Sequence, residues 1–280
     1  MPTASGIYYA EFDEGRKEDP PIVLIHGAGS SHQVWPAEIR RLPGQRVLAV
    51  DLPGHGRSAG IARQTIRAYA DRIVDFLGEL GLYHAVFIGH AMGGAIALAL
   101  AVRDPMQVAG LGLISTGAYL GVDPGFLEDL SNPVTIPSAL HRFQKRAFGP
   151  DTPLPLIERC MGAIKETRGS VLYGDWRACA DFDLRDAVAQ IEAPTWVIMG
   201  SEDQVTPVAY AHFLVGRMPA ARLQIIPGGG HMVMLEQTGR VAQGLQQYLS
   251  ALSAARFAAA RVRLPNPSTV NTYQTEKRKR

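Results

Sequence analysis

The chain has 280 residues, 46% of them hydrophobic, and a formal net charge of +2. That length buries one substantial core, or one core with a small appended domain, and no apolar run approaches the length of a membrane span. The charge is uneven: from Ala251 onward seven basic residues face Glu276 alone, so the rest of the chain is acidic overall.

Residues 7–12 alternate polar and apolar and are predicted as an edge strand. Residues 22–25 form a continuous apolar run, the pattern of a strand buried on both faces, and lead into His26-Gly27-Ala28-Gly29-Ser30. Residues 33–42 suit a helix, with Trp35 expected on the side nearest a cleft. Residues 47–50 are the next buried strand. In the octet Asp51-Leu52-Pro53-Gly54-His55-Gly56-Arg57-Ser58 the glycines make a turn, and Asp51 and Ser58 are read as hydrogen-bonding its backbone. Residues 65–80 place Ile66, Tyr69, Ile73, Phe76, Leu77 and Leu80 at helical spacing, with Gly81 as the stop.

The chain is organised around residues 85–101: a short apolar run, a turn flanked by Gly89, Gly93 and Gly94, then an Ala-rich helix. A strand that becomes a helix within about two residues needs glycines, because a Cβ beside the turn has no room. Residues 108–114 are a further strand. Between about 115 and 187 six prolines break the pattern, with helical spacing at 139–148, 156–165 and 171–182. The cluster His141, Arg142, Lys145 and Arg146 there reads as a solvated helix face. Residues 195–199 and 223–226 are strands, each followed by a polar or glycine-rich loop: Gly200-Ser201-Glu202-Asp203 and Gly228-Gly229-Gly230-His231. A helix is expected from about 243 to 262, and the polar remainder is expected to be disordered. Its Lys-Arg-Lys-Arg end is read as solubilising rather than as a contact for nucleic acid or an acidic partner. Cys160 and Cys179 read as free thiols of a reducing compartment. No basic stretch followed by an apolar run opens the chain, so no secretory signal and a cytoplasmic location are expected.

Gly89-His90-Ala91-Met92-Gly93-Gly94 resembles the nucleophile elbow of the α/β-hydrolase superfamily, with Ala91 where that family carries serine. The stretch 26–30, the octet 51–58, the loop bearing Asp203 and the loop bearing His231 are similar to further motifs of the same family, and the resemblance covers about residues 5–250. It implies an α/β fold, a mostly parallel twisted sheet flanked by helices, with a helical cap inserted after the sixth strand. The expected organisation is a core of residues 1–116 and 188–252, a cap of 117–187 and a C-terminal segment of 253–280. The resemblance makes Ala91, Asp203 and His231 the nucleophile position, acid and base. It makes the backbone N–H groups of Ala28 and Met92 an oxyanion hole. Gly27, His90, Trp35 and Trp176 are expected around the substrate. No Cys/His cluster has metal-ligand spacing and no Gly-rich nucleotide fingerprint is present, so no metal and no cofactor are expected. The substrate is a small molecule with an apolar acyl or alcohol group, a carboxylic ester by default. Three accounts of Ala91 stay open on the sequence. It is a serine exchanged for alanine in an otherwise intact esterase. Or the enzyme is naturally serine-less, and His231 and Asp203 activate water or remove a substrate proton, as in aminoacrylate-hydrolase-like and cofactor-free dioxygenase branches. Or the cleft binds a ligand without turning it over.

Overall fold

The computed structural model describes residues 2–263. Eight strands form one sheet: β1 (Thr3–Ala4), β2 (Ile7–Asp13), β3 (Ile22–Ile25), β4 (Arg46–Val50), β5 (Ala85–His90), β6 (Val108–Ile114), β7 (Thr195–Gly200) and β8 (Ala221–Ile226). Their order is β1-β2-β4-β3-β5-β6-β7-β8, antiparallel at β1–β2 and β2–β4 and parallel from there on. The helices are α1 (Ala37–Arg40), α2 (Ile66–Glu79), α3 (Met92–Arg103), α4 (Pro124–Ser131), α5 (Ile136–Ala147), α6 (Leu154–Lys165), α7 (Gly169–Ala180), α8 (Val208–Arg217), α9 (Val233–Glu236) and α10 (Thr238–Arg263). This is the α/β-hydrolase fold.

The strands read as unbroken apolar runs because both faces are covered. Successive side chains point to opposite faces: Val23, Ile25, Phe87 and Val197 join the α2, α3 and α8 side, and Leu24, Ile88 and Ile198 join the α1 and α10 side. Each fully buried side chain of this kind contributes roughly 1.5–3 kcal/mol. Helix α3 shows no polar stripe, since nearly every residue from Met92 to Ala101 is buried; it is a helix apolar all round, packed on the sheet and under α2.

Three local differences from expectation have physical causes. The strand β2 is not outermost, because Ser5 and Gly6 turn at positive φ and lay the two-residue β1 beside it. Residues 33–42 do not form one helix. Pro36 has no N–H and holds Trp35 extended (φ −81°, ψ 122°), so a single 3₁₀ turn and the one-turn α1 take its place. Trp35 is consequently buried with Ile22, Leu24, Ile39 and Leu42, and it does not line the cleft. Several prolines read as breaks between 115 and 187 are instead helix starts: Pro124, Pro137 and Pro155 lie in the first turns of α4, α5 and α6.

Helices α4–α7 all lie between β6 and β7, and Tyr119 and Asp183 bridge antiparallel where the chain leaves and rejoins the sheet. The expectation for the tail beyond 263 falls outside the described residues. Among those described, no helix is long and apolar enough to cross a membrane.

Candidate active site

In parallel strands the carboxyl ends align, and the loops leaving them meet at one edge of the sheet. Here those are the loops after Ile25, His90, Ile114 and Gly200. Between His90 and Met92 the chain turns on Ala91, at φ 49° and ψ −113°. A residue with a Cβ is strained there by about 1–3 kcal/mol. The strain is held by hydrogen bonds on both sides. The Ala91 N–H donates to the Ile114 carbonyl (3.0 Å), and the Ala91 carbonyl accepts from the Gly94 N–H (3.0 Å) and the Thr116 hydroxyl (2.8 Å). The turn is closed so tightly that a Cβ on Gly93 would lie 2.1 Å from the Ile25 carbonyl oxygen, and one on Gly89 would lie 2.2 Å from that of Gly93.

Asp203 and His231 meet beside this turn. The His231 Nδ1 lies 3.0 Å from Asp203 Oδ2 and 3.2 Å from Oδ1. Asp203 also accepts from the N–H groups of Val205 and Thr206 (2.9 Å each) and from the Thr206 hydroxyl (2.8 Å). Burial alone raises its carboxyl; His231 and the Thr206 donors outweigh that and hold it below the ordinary carboxylate range. An ionised Asp203 fixes a proton on Nδ1 and leaves Nε2 free to act as a base. Close packing of the glycines brings the two loops together: a Cβ on Gly200 would lie 2.1 Å from the Gly229 carbonyl oxygen. Glu236 accepts from the N–H groups of Gly149 and Gly230 and from the Thr152 hydroxyl, tying the His231 loop to the segment between α5 and α6.

Two further histidines are buried and neutral. His90 donates from Nε2 to the His231 carbonyl (3.0 Å). Burial, then the neighbouring His231, lower its pKa to about 3. Its Nδ1 has no partner. His26 donates from Nδ1 to the Gly27 carbonyl (2.8 Å) and accepts at Nε2 from the Leu52 N–H (3.0 Å). Burial, then His55, bring its pKa to about 4. Each ring is therefore in a fixed tautomer.

One cavity of about 580 Å³ collects Gly27, Ala28, His90, Ala91, Met92 and His231 on its floor and Leu120, Val122, Phe143, Ile164 and Trp176 above. Asp203 stands behind His231. Phe143 meets Trp176 and His231 edge-on, with ring centroids 5.4 and 6.2 Å apart. A second, more polar chamber shares Phe143 and Trp176 and adds Asp123, Arg142 and Arg146. Arg142 and Arg146, on the helix face read as solvated, are both exposed. Sequence reasoning missed Thr206, whose hydroxyl orients both Asp203 and His231. The Asp-x-x-Thr spacing is its only trace in the chain. Cys160 and Cys179 are both free and buried, and burial drives their thiols upward, that of Cys160 to about 12. Among the described residues no group of three or more His, Cys, Asp or Glu is placed to hold a metal ion.

A protein-family model described as the alpha/beta hydrolase family matches residues 22–244. The pimeloyl-(acyl-carrier protein) methyl ester esterase of Aromatoleum aromaticum is 31% identical over 238 residues, which span 77% of this chain and 92% of that one. Among solved structures, a thermophilic esterase from Thermogutta terrifontis superposes with a TM-score of 0.79 at 25% identity, covering 88% of this chain and 93% of its own. A hydrolase from Pseudomonas aeruginosa gives 0.78 at 26%, covering 87% and 94%. With the matched model spanning most of the sheet and the entire cleft, the chain belongs to the alpha/beta hydrolase family.

Proposed function

We propose that this is a carboxylic ester hydrolase site in which Ala91 stands at the nucleophile position. The observation that carries the reading is Ala91 itself. It is held at φ 49° and ψ −113° at the floor of the cavity, beside a buried His231–Asp203 pair, with no side-chain function to justify the strain. Strain of this kind persists where a reacting group has to be displayed. With serine there, the hydroxyl oxygen attacks the ester carbonyl while His231 Nε2 takes its proton. Asp203 stabilises the resulting imidazolium. The N–H groups of Ala28 and Met92, both on the cavity wall, receive the developing oxyanion. His231 then protonates the leaving alcohol and activates the water that releases the acid. Helices α4–α7 act as the cap, and their aromatic and aliphatic lining favours an apolar acyl or alcohol group. The esterase relatives support an ester over other acyl compounds.

Alanine cannot form the acyl-enzyme, and loss of a serine nucleophile costs on the order of 10⁶ in turnover. The Ala91→Ser variant is therefore expected to hydrolyse short-chain nitrophenyl esters and to label with a fluorophosphonate, while the unaltered chain does neither. A folded Ala91→Ser protein that is silent in both assays overturns the reading. A second reading is favoured by the ionised Asp203 and the unshared His231 Nε2: the pair activates water directly on the substrate. Turnover by the unaltered chain that disappears in His231→Ala selects it.

A further inference from the structure

The helical insertion reaches the loop after β3 through one carboxylate. Asp175, on α7, is fully buried and accepts three hydrogen bonds from the body of the protein. They come from the Gly29 N–H (2.8 Å), the His55 Nε2–H (2.7 Å) and the Tyr69 hydroxyl (2.5 Å). His55 also donates from Nδ1 to the Pro53 carbonyl (3.1 Å), and its Nε2 faces Asp175, a pairing that favours the charged form of the ring. Burial disfavours that charge, but Asp175 outweighs it and raises the His55 pKa.

A buried ion pair is weak evidence of a stabilising role, since desolvation consumes most of the attraction. What distinguishes this pair is where it points. The two peptide planes that flank Ala28 are each pinned. The Gly27–Ala28 plane is held from the core, where the Gly27 carbonyl accepts from His26 Nδ1. The Ala28–Gly29 plane is held from the insertion, where the Gly29 N–H meets Asp175. The next carbonyl, that of Gly29, accepts from the Thr167 hydroxyl of the same insertion (2.9 Å). Gly29 sits at φ +64°, and a Cβ on it would lie 2.5 Å from Leu172 Cδ2, so α7 packs directly on this peptide. The His55 ring lies 4.9 Å from that of His26, which joins the two clamps.

We propose that Asp175 is a positioning residue: it fixes the orientation of the Ala28 N–H by holding the peptide that follows it, so the oxyanion-binding geometry is assembled only when the insertion is seated. The assignment rests on the reading of Ala28 as an oxyanion donor. Its physical content is that a donor contributes to catalysis only if aimed before the charge develops. An unclamped loop spends that contribution on ordering itself.

The test uses two substitutions and two readouts. Asp175→Asn removes the charge and keeps the shape; Thr167→Val removes the hold on the Gly29 carbonyl and leaves the Asp175 contact with the Gly29 N–H. Residue-resolved hydrogen exchange on the unaltered chain needs no activity. In Asp175→Asn the Gly29 amide is expected to exchange at least tenfold faster, while Phe87 and Leu111 in the sheet keep their rates. In the Ala91→Ser background, the same substitution is expected to lower kcat about 10²-fold, the scale of one oxyanion donor, with KM changed by less than about threefold. Unchanged exchange at Gly29 in folded protein overturns the proposal. So does an equal rise across the sheet, or a raised KM with kcat intact. If Asp175→Asn does not fold, Asp175→Glu, which keeps the charge and displaces the carboxylate from the Gly29 N–H, decides by the same criteria. If Ala91→Ser shows no turnover, the ester-hydrolase reading has failed, and the exchange rates alone judge the clamp.

Discussion

At the scale of a single residue, Ala91 carries the most information. A methyl group fills a position whose backbone favours glycine, and the hydrogen bonds that hold the turn are backbone ones that glycine would keep. Relief of that strain is worth about 1–3 kcal/mol, and a glycine costs about 1 kcal/mol of added freedom in the unfolded chain. Ala91→Gly is therefore expected to raise stability by about 1 kcal/mol. Ala97→Gly, in the buried middle of α3, is expected to lower it by at least about 1 kcal/mol. Denaturant midpoints at constant slope read both. Equal losses at the two positions would show that the turn imposes no strain on Ala91. A residue's place is legible where a motif fixes a position in the chain and illegible where a side chain's direction matters. Asp203 and His231 are placed by the loops that carry them, and they lie 3.0 Å apart. Trp35 sits away from the cleft because closeness in sequence to the Gly27–Ser30 loop says nothing about which way an indole points. Asp175 leaves no sequence trace because its partners lie more than 100 residues away.

At the scale of elements, the turn between β5 and α3 works because helix and strand come within backbone contact. A Cβ on Gly93 would meet a carbonyl oxygen of β3, a backbone atom that cannot swing aside. Gly93→Ala is thus expected to cost about 3 kcal/mol, the upper end of overpacking, by levering α3 off the sheet. Gly78, on the exposed face of α2, has open space where its Cβ would be. Gly78→Ala is expected to gain about 0.5–1 kcal/mol. Thermal or denaturant unfolding of the pair gives opposite signs; a loss at both sites would mean that helix propensity, not the close approach, had been misjudged. The same contrast explains which elements the chain reveals. The central strands are apolar on both faces and stand out as runs, and α2 stands out by its stripe. Helix α4 is hidden in the sequence because Pro124 reads as a stop, although at a first turn its missing N–H costs nothing. Helix α8 is hidden because its apolar residues lie between two strands of the same character and carry no clear period.

At the scale of the whole molecule, buried histidines set the acid limit of the fold. His26 and His90 have folded pKa values of about 4 and about 3, against 6.5 unfolded. Between pH 6.5 and 4 the unfolded chain binds protons that the folded one refuses, so stability falls as pH falls. A tenfold difference in proton affinity between the two states is worth about 1.36 kcal/mol. The two rings together therefore remove on the order of 5 kcal/mol by pH 4, a large part of an ordinary domain's stability. His55 acts in the opposite sense. Its folded pKa is raised above 6.5, so its contribution is complete below pH 6.5 and is lost as pH rises through the folded value. Asp203, held below its ordinary value, adds a loss only at lower pH, as its folded value is crossed. The expected profile is a maximum near neutrality, a steep fall toward pH 4 and a shallower fall on the alkaline side. Denaturant midpoints across pH 4 to 9 measure it. The alkaline fall should shrink in Asp175→Asn, where His55 has lost its partner, to the part near pH 9 that the buried Cys160 and Cys179 thiols contribute, while the acid limb should persist. A flat profile between pH 6.5 and 5 would mean that His26 and His90 take up protons in the folded state, and that their neutral tautomers are not what the fold enforces.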